Sequence, residues 1–225
     1  MSDRKSAHLA LDKIQIQGFS VMNQLPEVKI SGLSPLNHAE FDTLAKGTMN
    51  KGGIHLSEKP LLGFLTLRCH SQERVQINVV ETVLGVTFPI TPLTSDESGA
   101  CSIQWVSPDE WLIIVPGADV FNIEILLREK LSGHYSLVNG SGGLTVIALS
   151  GDNTIDLLKK CSPIDFHLSN FPIGKVVSTV FAKSNAIIRR KGLHQFELVI
   201  RRSFADYIWS WILDASNEFG LVINS

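Results

Sequence analysis

Cys161, Asp165 and His167 fall close together in GDNTIDLLKKCSPIDFHLSNFPIGK (151–175). A thiol, a carboxylate and an imidazole are the parts of a nucleophile, an orienter and a general base. The local pattern argues against that chemistry. Asp152 and Asp156 open a short helix and Lys159 and Lys160 close it, the favourable charge order, before Pro163 stops it. Cys161 therefore sits in the last turn, where the helix dipole raises a thiol pKa. A structural cysteine beside a turn histidine is the expectation.

Other candidates are weaker. The GSGG at 140–143 has neither the full GxGxxG spacing nor GK[ST], and it leads into a strand. Phosphate cradles need the oriented amides of a helix N-terminus, so a hairpin turn is the better reading. The seven histidines form no HxH, HxxxH or HExxH pair, so no metal site is expected. Asp109 and Glu110 are adjacent and on a strand would point to opposite sides, which rules out an acid/base pair. Arg189, Arg190 and Lys191, and the pair Arg201 and Arg202, read as solvated edges, with an acidic partner for one of them as the alternative.

The elements that would carry these residues follow from composition and periodicity. The 225 residues are 44% hydrophobic and 19% charged, enough for one good core or two small ones. No apolar run reaches the ~18–20 residues of a membrane span, and the polar start lacks the apolar stretch of a secretory signal. Three separated cysteines without a CxxC fit reduced thiols in a cytoplasmic protein. A net charge of −2 without a basic block argues against nucleic acid.

Residues 1–60 read as a partly irregular N-terminal arm, and 61–225 as an α+β domain with two subdomains at 61–132 and 133–225. LLGFLTLRCH (61–70) has strand character. SQERVQINVVETVLG (71–85) reads as a helix closed by Gly85. CSIQWVSPDEWLIIVP (101–116) is a hairpin turning at Pro108 and Asp109. Val120, Ile123, Leu127 and Leu131 recur on one helical face in 119–131. HYSLVN (134–139) and LTVIALS (144–150) read as strands joined by GSGG. KVVSTVFAK (175–183), AIIRR (186–190) and HQFELVI (194–200) form a strand meander. A last helix, 203–215, has Ser203 as N-cap with Asp206 three residues on. Single helices among mostly antiparallel strands define an α+β layer architecture.

The last helix confines Asp206, Ser210 and Asp214 to a narrow polar stripe, and apolar residues fill the rest. A surface helix needs an apolar stripe of only about 100°. Trp209 and Leu213 then lie on a shoulder that this chain's sheet does not cover. Two coverings suit that shoulder: another polypeptide, for which Trp209 and Leu213 would be interface residues, or the chain's own N-terminal arm.

Three blocks in order, IQWVSPDEWLIIVP (103–116), LSGDNTIDLLKKCSPIDFHLSNFPIGK (149–175) and FELVIRRSFADYIWSWILDA (196–215), resemble the gamma-subunit family of heterotetrameric sarcosine oxidases. LTLRCH (65–70) and SPLNHA (34–39) fit more loosely. The resemblance implies a fold related to the folate-binding aminomethyltransferase of the glycine cleavage system, the T-protein. It implies a cytoplasmic complex, with alpha, beta and delta partners, that oxidatively demethylates sarcosine to glycine. FAD, FMN, NAD and tetrahydrofolate, and a zinc ion on delta, would belong to those partners, and none to this chain. Where folate-binding relatives present an acidic, Gly-rich segment, this chain has VFAKSNAIIRRKG. Where iron–sulphur-assembly relatives have KGCYxGQE, it has KKCSPIDF. No family catalytic residue carries over, which makes the chain a noncatalytic structural subunit. The alternative carried by the same fold is a stand-alone tetrahydrofolate-binding or aminomethyl-transfer protein.

Overall fold

The computed structural model describes residues 32–39 and 52–223. Its architecture is α+β, with two sheets laid face to face and helices on their outer sides. The five-stranded sheet runs in the order β3 (Ser95–Ser98), β4 (Cys101–Ser107), β5 (Glu110–Pro116), β2 (Leu62–Arg68), β6 (Ser136–Asn139). The six-stranded sheet runs β11 (Leu221–Ile223), β1 (Ile54–Lys59), β7 (Leu144–Ser150), β10 (Gln195–Arg201), β9 (Ser184–Gly192), β8 (Val176–Phe181). Every strand pair is antiparallel except β1 with β11.

Alternation along each strand sorts side chains into three apolar layers. Helices α1 (Arg74–Leu84) and α2 (Val120–Lys130) cover the outer face of the five-stranded sheet, burying Leu65, Leu67, Ile103, Trp111 and Ile113 with Ile77, Val80 and Leu127. Helices α3 (Thr154–Cys161) and α4 (Ala205–Ala215) cover the six-stranded sheet over Ile147, Leu149, Ile188, Phe196 and Leu198. Between the sheets lie Phe64, Leu112, Ile114, Val146 and Val199.

Gly85 closes α1 at φ 64°, and its amide donates to Glu81 O at 2.8 Å, the left-handed stop that only glycine makes without strain. Asp156 opens α3 and Lys159 and Lys160 close it, as the charge order required. The 101–116 hairpin and the β8–β9–β10 meander also form where periodicity placed them.

Four expectations are corrected. β1 lies inside the stretch assigned to an irregular arm, yet it is an interior strand, with Ile54 and Leu56 fully buried. Its strand character is hidden behind Gly52 and Gly53 and its polar outward residues. Leu36, in the same stretch, is also buried in the core; residues 1–31 and 40–51 lie outside the described residues. GSGG is not a hairpin turn, because β6 belongs to one sheet and β7 to the other. It is the crossover between layers, pinned by Phe64 N–H donating to Ser141 Oγ at 2.9 Å and Arg202 N–H to Gly143 O at 2.9 Å. The cap of α4 is Phe204, after a 3-10 turn at Arg202–Phe204, and Ser203 makes no cap bond. The subdomain split at 132/133 follows the sheets only in part, since β6 stays with the first and β1 joins the second.

Candidate functional site

The loop that raised the catalytic question is built from local hydrogen bonds. The Asp165 carboxylate accepts the His167 backbone N–H at 2.9 Å and the Asn170 side-chain amide at 2.5 Å. Those donors hold its pKa below the ordinary carboxylate value. His167 Nδ1 lies 2.8 Å from Ser169 Oγ, across the same turn. Cys161 points away into the core and is 4% exposed. Burial pushes its thiol up to about 11, against the smaller opposing effects of a hydrogen bond from Trp211 and the charge of Lys160. Cys69 is likewise pushed up to about 11 by burial and the nearby Asp109 and Glu73 carboxylates. Such thiols are almost wholly protonated near neutrality and are poor nucleophiles. Cys161 and Asp165 thus face different surroundings, and the structure does not assemble them into one reacting site.

Arg190 secures this loop. The reading of 189–191 as a solvated edge is corrected, because Arg189 is 3% and Arg190 1% exposed. On β9 the two arginines point to opposite faces of the sheet. Arg190, on the helix side, donates to Phe166 O at 3.2 Å, Phe171 O at 2.7 Å, Gly192 O at 3.2 Å and Leu193 O at 2.5 Å. Its guanidinium also lies over the Phe196 ring, 5.1 Å from the centroid. Backbone carbonyls replace a carboxylate as its partners, and burial lowers its pKa. Arg201 and Arg202 are exposed, as expected.

Arg189 faces the space between the sheets and anchors the largest group of ion pairs among the described residues. It donates through Nη2 to Glu197 Oε2 at 2.6 Å and to Glu97 Oε2 at 2.7 Å. Lys191 adds 2.8 Å to Glu97, and Lys59 pairs with Glu197. These side chains line a cleft of about 570 Å³ with Ser57, Glu58, Pro60, Leu62, Ser102, Ile114 and Val146. Burial alone would raise both glutamates. For Glu97, the Lys191 hydrogen bond and Arg189 charge outweigh burial, and for Glu197 the Arg189 charge and Lys59 do so. Both carboxyls are therefore held below their ordinary value. Glu97 and Glu197 each have a cation, and Glu58 accepts instead from Ser34 Oγ at 2.6 Å and Thr145 Oγ1 at 2.7 Å, so the ion pairs act as a lock between sheets. Nearby on the same face of β4, Gln104 is fully buried and neither polar atom of its amide meets a protein partner. A buried water is the usual remedy for such an amide.

Sequence reading missed this lock because its members come from four strands. One signal was present: a tight turn after Gly192 puts Glu197 directly opposite Arg189. Among the described residues, no group of three or more His, Cys, Asp or Glu could hold a metal ion. No helix among them is long and apolar enough to cross a membrane.

At the shoulder of α4 the chain itself covers one of the two residues and half-covers the other. Trp209 is 7% exposed and belongs to the core over the six-stranded sheet, and Leu213 is half-buried against it. The exposed apolar groups at this helix are Trp211 and Phe204, at 38% and 41%.

Face-to-face antiparallel sheets with paired outer helices, locked across the cleft by Arg189, Glu97 and Glu197, define an α+β scaffold protein. The profile of the sarcosine oxidase, gamma subunit family matches residues 68–218. The chain belongs to that family. It is 25% identical over 143 residues to sarcosine oxidase subunit gamma of Corynebacterium sp. (strain U-96), covering 61% of this chain and 66% of that one. It is 28% identical over 119 residues to the subunit of Corynebacterium sp. (strain P-1), covering 52% and 58%. The matched region thus spans between 58% and 66% of these relatives' length. A chain of the heterotetrameric sarcosine oxidase from Corynebacterium sp. U-96, solved with pyrrole 2-carboxylate, superimposes with a TM-score of 0.75 at 21% identity, over 84% of this chain and 96% of that one. Aminomethyltransferase T of the glycine cleavage system from Bartonella henselae gives 0.57 at 8% identity, over 81% and 50%. These likenesses establish the fold.

Proposed function

We propose that this chain is a noncatalytic structural subunit of a heterotetrameric sarcosine oxidase, a cytoplasmic complex that oxidatively demethylates sarcosine to glycine. The family match across 68–218 carries this reading. The internal pairing of the cleft's charges and the raised thiols of Cys69 and Cys161 support it from the chemical side. Alpha, beta and delta subunits would be its partners, holding FAD, FMN, NAD and tetrahydrofolate between them. Leu213, half-buried on the rim of α4, remains our candidate for a partner contact, with Trp209 as the floor beneath it. Co-expression with alpha, beta and delta chains tests the reading. Recovery of this chain as a 1:1 member of an active complex is expected. Tight folate binding or turnover by this chain alone would overturn it in favour of a stand-alone folate protein.

A further inference from the structure

A sheet edge exposes unpaired backbone groups and needs protection from stray pairing. Among the described residues, three of the four edge strands have it. β11 has three residues, β6 has four, and β3 carries Asp96 and Glu97. The fourth, β8, reads VVSTVF, six residues without charge or proline. Its register with β9 runs without a bulge from Val176 opposite Arg189 to Phe181 opposite Ser184. Such an edge is shaped to pair.

Hydrogen-bond parity shows where. In the β8–β9 hairpin Phe181, Thr179 and Val177 turn their backbone groups inward to β9, so Val176, Ser178 and Val180 turn theirs outward. The fold itself uses the outward groups at both ends. Val176 N–H donates to Leu93 O at 2.9 Å, and Ala182 N–H to Cys161 O at 2.6 Å. Between these stops lie Ser178 and Val180, both exposed, Val180 at 42%. Among the described residues no further strand continues the sheet beyond β8. The open edge is thus a window with a fixed beginning and end.

The charges at its ends select the occupant. Lys175 and Lys183 flank the window, and neither meets a carboxylate among the described residues. A second copy pairing two-fold through both open positions would set Ser178 opposite Val180. That register brings Lys175 opposite Lys183 at each end, an unfavourable meeting of like charges. A different polypeptide has no such constraint. Beside the Val176 end, a hollow of about 420 Å³ is lined by Pro92, Leu93, Pro172 and Ile173, with Leu93 37% and Ile173 58% exposed. Leu93 is held at φ 61°, a costly conformation for a leucine, and its carbonyl forms the stop at Val176.

We propose that β8 receives an extended segment of another subunit, which pairs its backbone with Ser178 and Val180, sets acidic residues toward Lys175 and Lys183, and seats an apolar side chain on Leu93 and Ile173. This rests on the reading of the chain as a subunit and specifies where a partner joins it.

Amide hydrogen exchange over 176–182, in the isolated full-length chain and in the co-expressed complex, tests it directly. Exchange at Ser178 and Val180 should slow by about tenfold or more in the complex, as amides entering a ladder do. Ser178→Pro removes an outward N–H that the β8–β9 ladder does not use, so the isolated chain should keep its melting temperature. Recovery of partner chains should fall about tenfold, from one lost hydrogen bond and a steric clash. Lys175→Glu with Lys183→Glu, which leaves the backbone untouched, should likewise lower recovery. Unchanged exchange at both amides within a complex that does form would overturn the inference and leave the subunit reading intact. Protection that arises in the isolated chain as it dimerises would overturn it in favour of a second copy. Failure of the wild-type chain to recover any partner would remove the subunit reading itself, and this inference with it.

Discussion

The two faces of β9 handle the same residue type in opposite ways. Arg190, facing the helices, is neutralised by four backbone carbonyls and one aromatic ring. Arg189, facing the second sheet, meets the carboxylates of Glu197 and Glu97, with Lys59 and Lys191 completing the array. The outer face is otherwise an apolar core, so one cation there ties the 166–171 loop to the β9–β10 turn through their carbonyls. The inner face joins two sheets, and opposite charges on facing strands fix how they register. Buried ion pairs contribute little net stability but are costly to break. A lock of this kind therefore specifies arrangement more than it adds stability.

Breaking the outer face most severely, Trp209→Asp places a carboxylate in the core above the six-stranded sheet. We expect a loss of about 3–5 kcal/mol in urea unfolding of the isolated chain. A folded variant defective only in assembly would return Trp209 to the partner interface. On the inner face, Glu197→Ala leaves Arg189 with Glu97 alone and should lower stability by about 3 kcal/mol, measured the same way. Combining it with Arg189→Met should recover part of that loss, because the uncompensated cation is gone.

Arg190→Lys sharpens the contrast. An ammonium cannot span the carbonyls that the guanidinium fork reaches. We expect a loss of about 2 kcal/mol, with faster proteolysis confined to 166–171. The same change at Arg189 should cost less, since a point charge still satisfies a carboxylate.

Acid provides the mildest probe. The carboxyls of Glu97 and Glu197 lie below their ordinary value in the folded chain. Their contribution to stability is therefore present above the unfolded carboxyl pKa of about 4.3 and is lost as pH falls through the folded values. Melting temperature between pH 6 and pH 3 should fall more steeply for the wild-type chain than for Glu197→Gln. Parallel curves would mean that the pair does not titrate with folding.

Much of the element order was legible in the residues themselves. Val120, Ile123 and Leu127 mark α2, Gly85 marks the end of α1, Pro108 and Asp109 mark a hairpin, and Pro163 ends α3, because each acts over one or two turns of chain. The resemblance of three ordered blocks supplied the family for the same reason, as it is a property of the string. Two adjacent arginines were not legible in this way. Their burial depends on Phe166 and Phe171 arriving at one face of β9 and Glu97 at the other, from segments outside the β9–β10 hairpin. The destination of GSGG was equally hidden, since a glycine-rich turn permits a hairpin or a crossover alike and only the competing partners of β6 and β7 choose.

The sequence by itself determined most of the order of helices and strands from Leu61 onward and the three blocks that mark the family, because propensity, periodicity and block order are all properties of the string. Only the tertiary structure decided that β1 is an interior strand, that Trp209 is covered and that β8 stands open between Leu93 and Cys161. Those outcomes depend on which distant surface reaches each face first, and no local pattern records that.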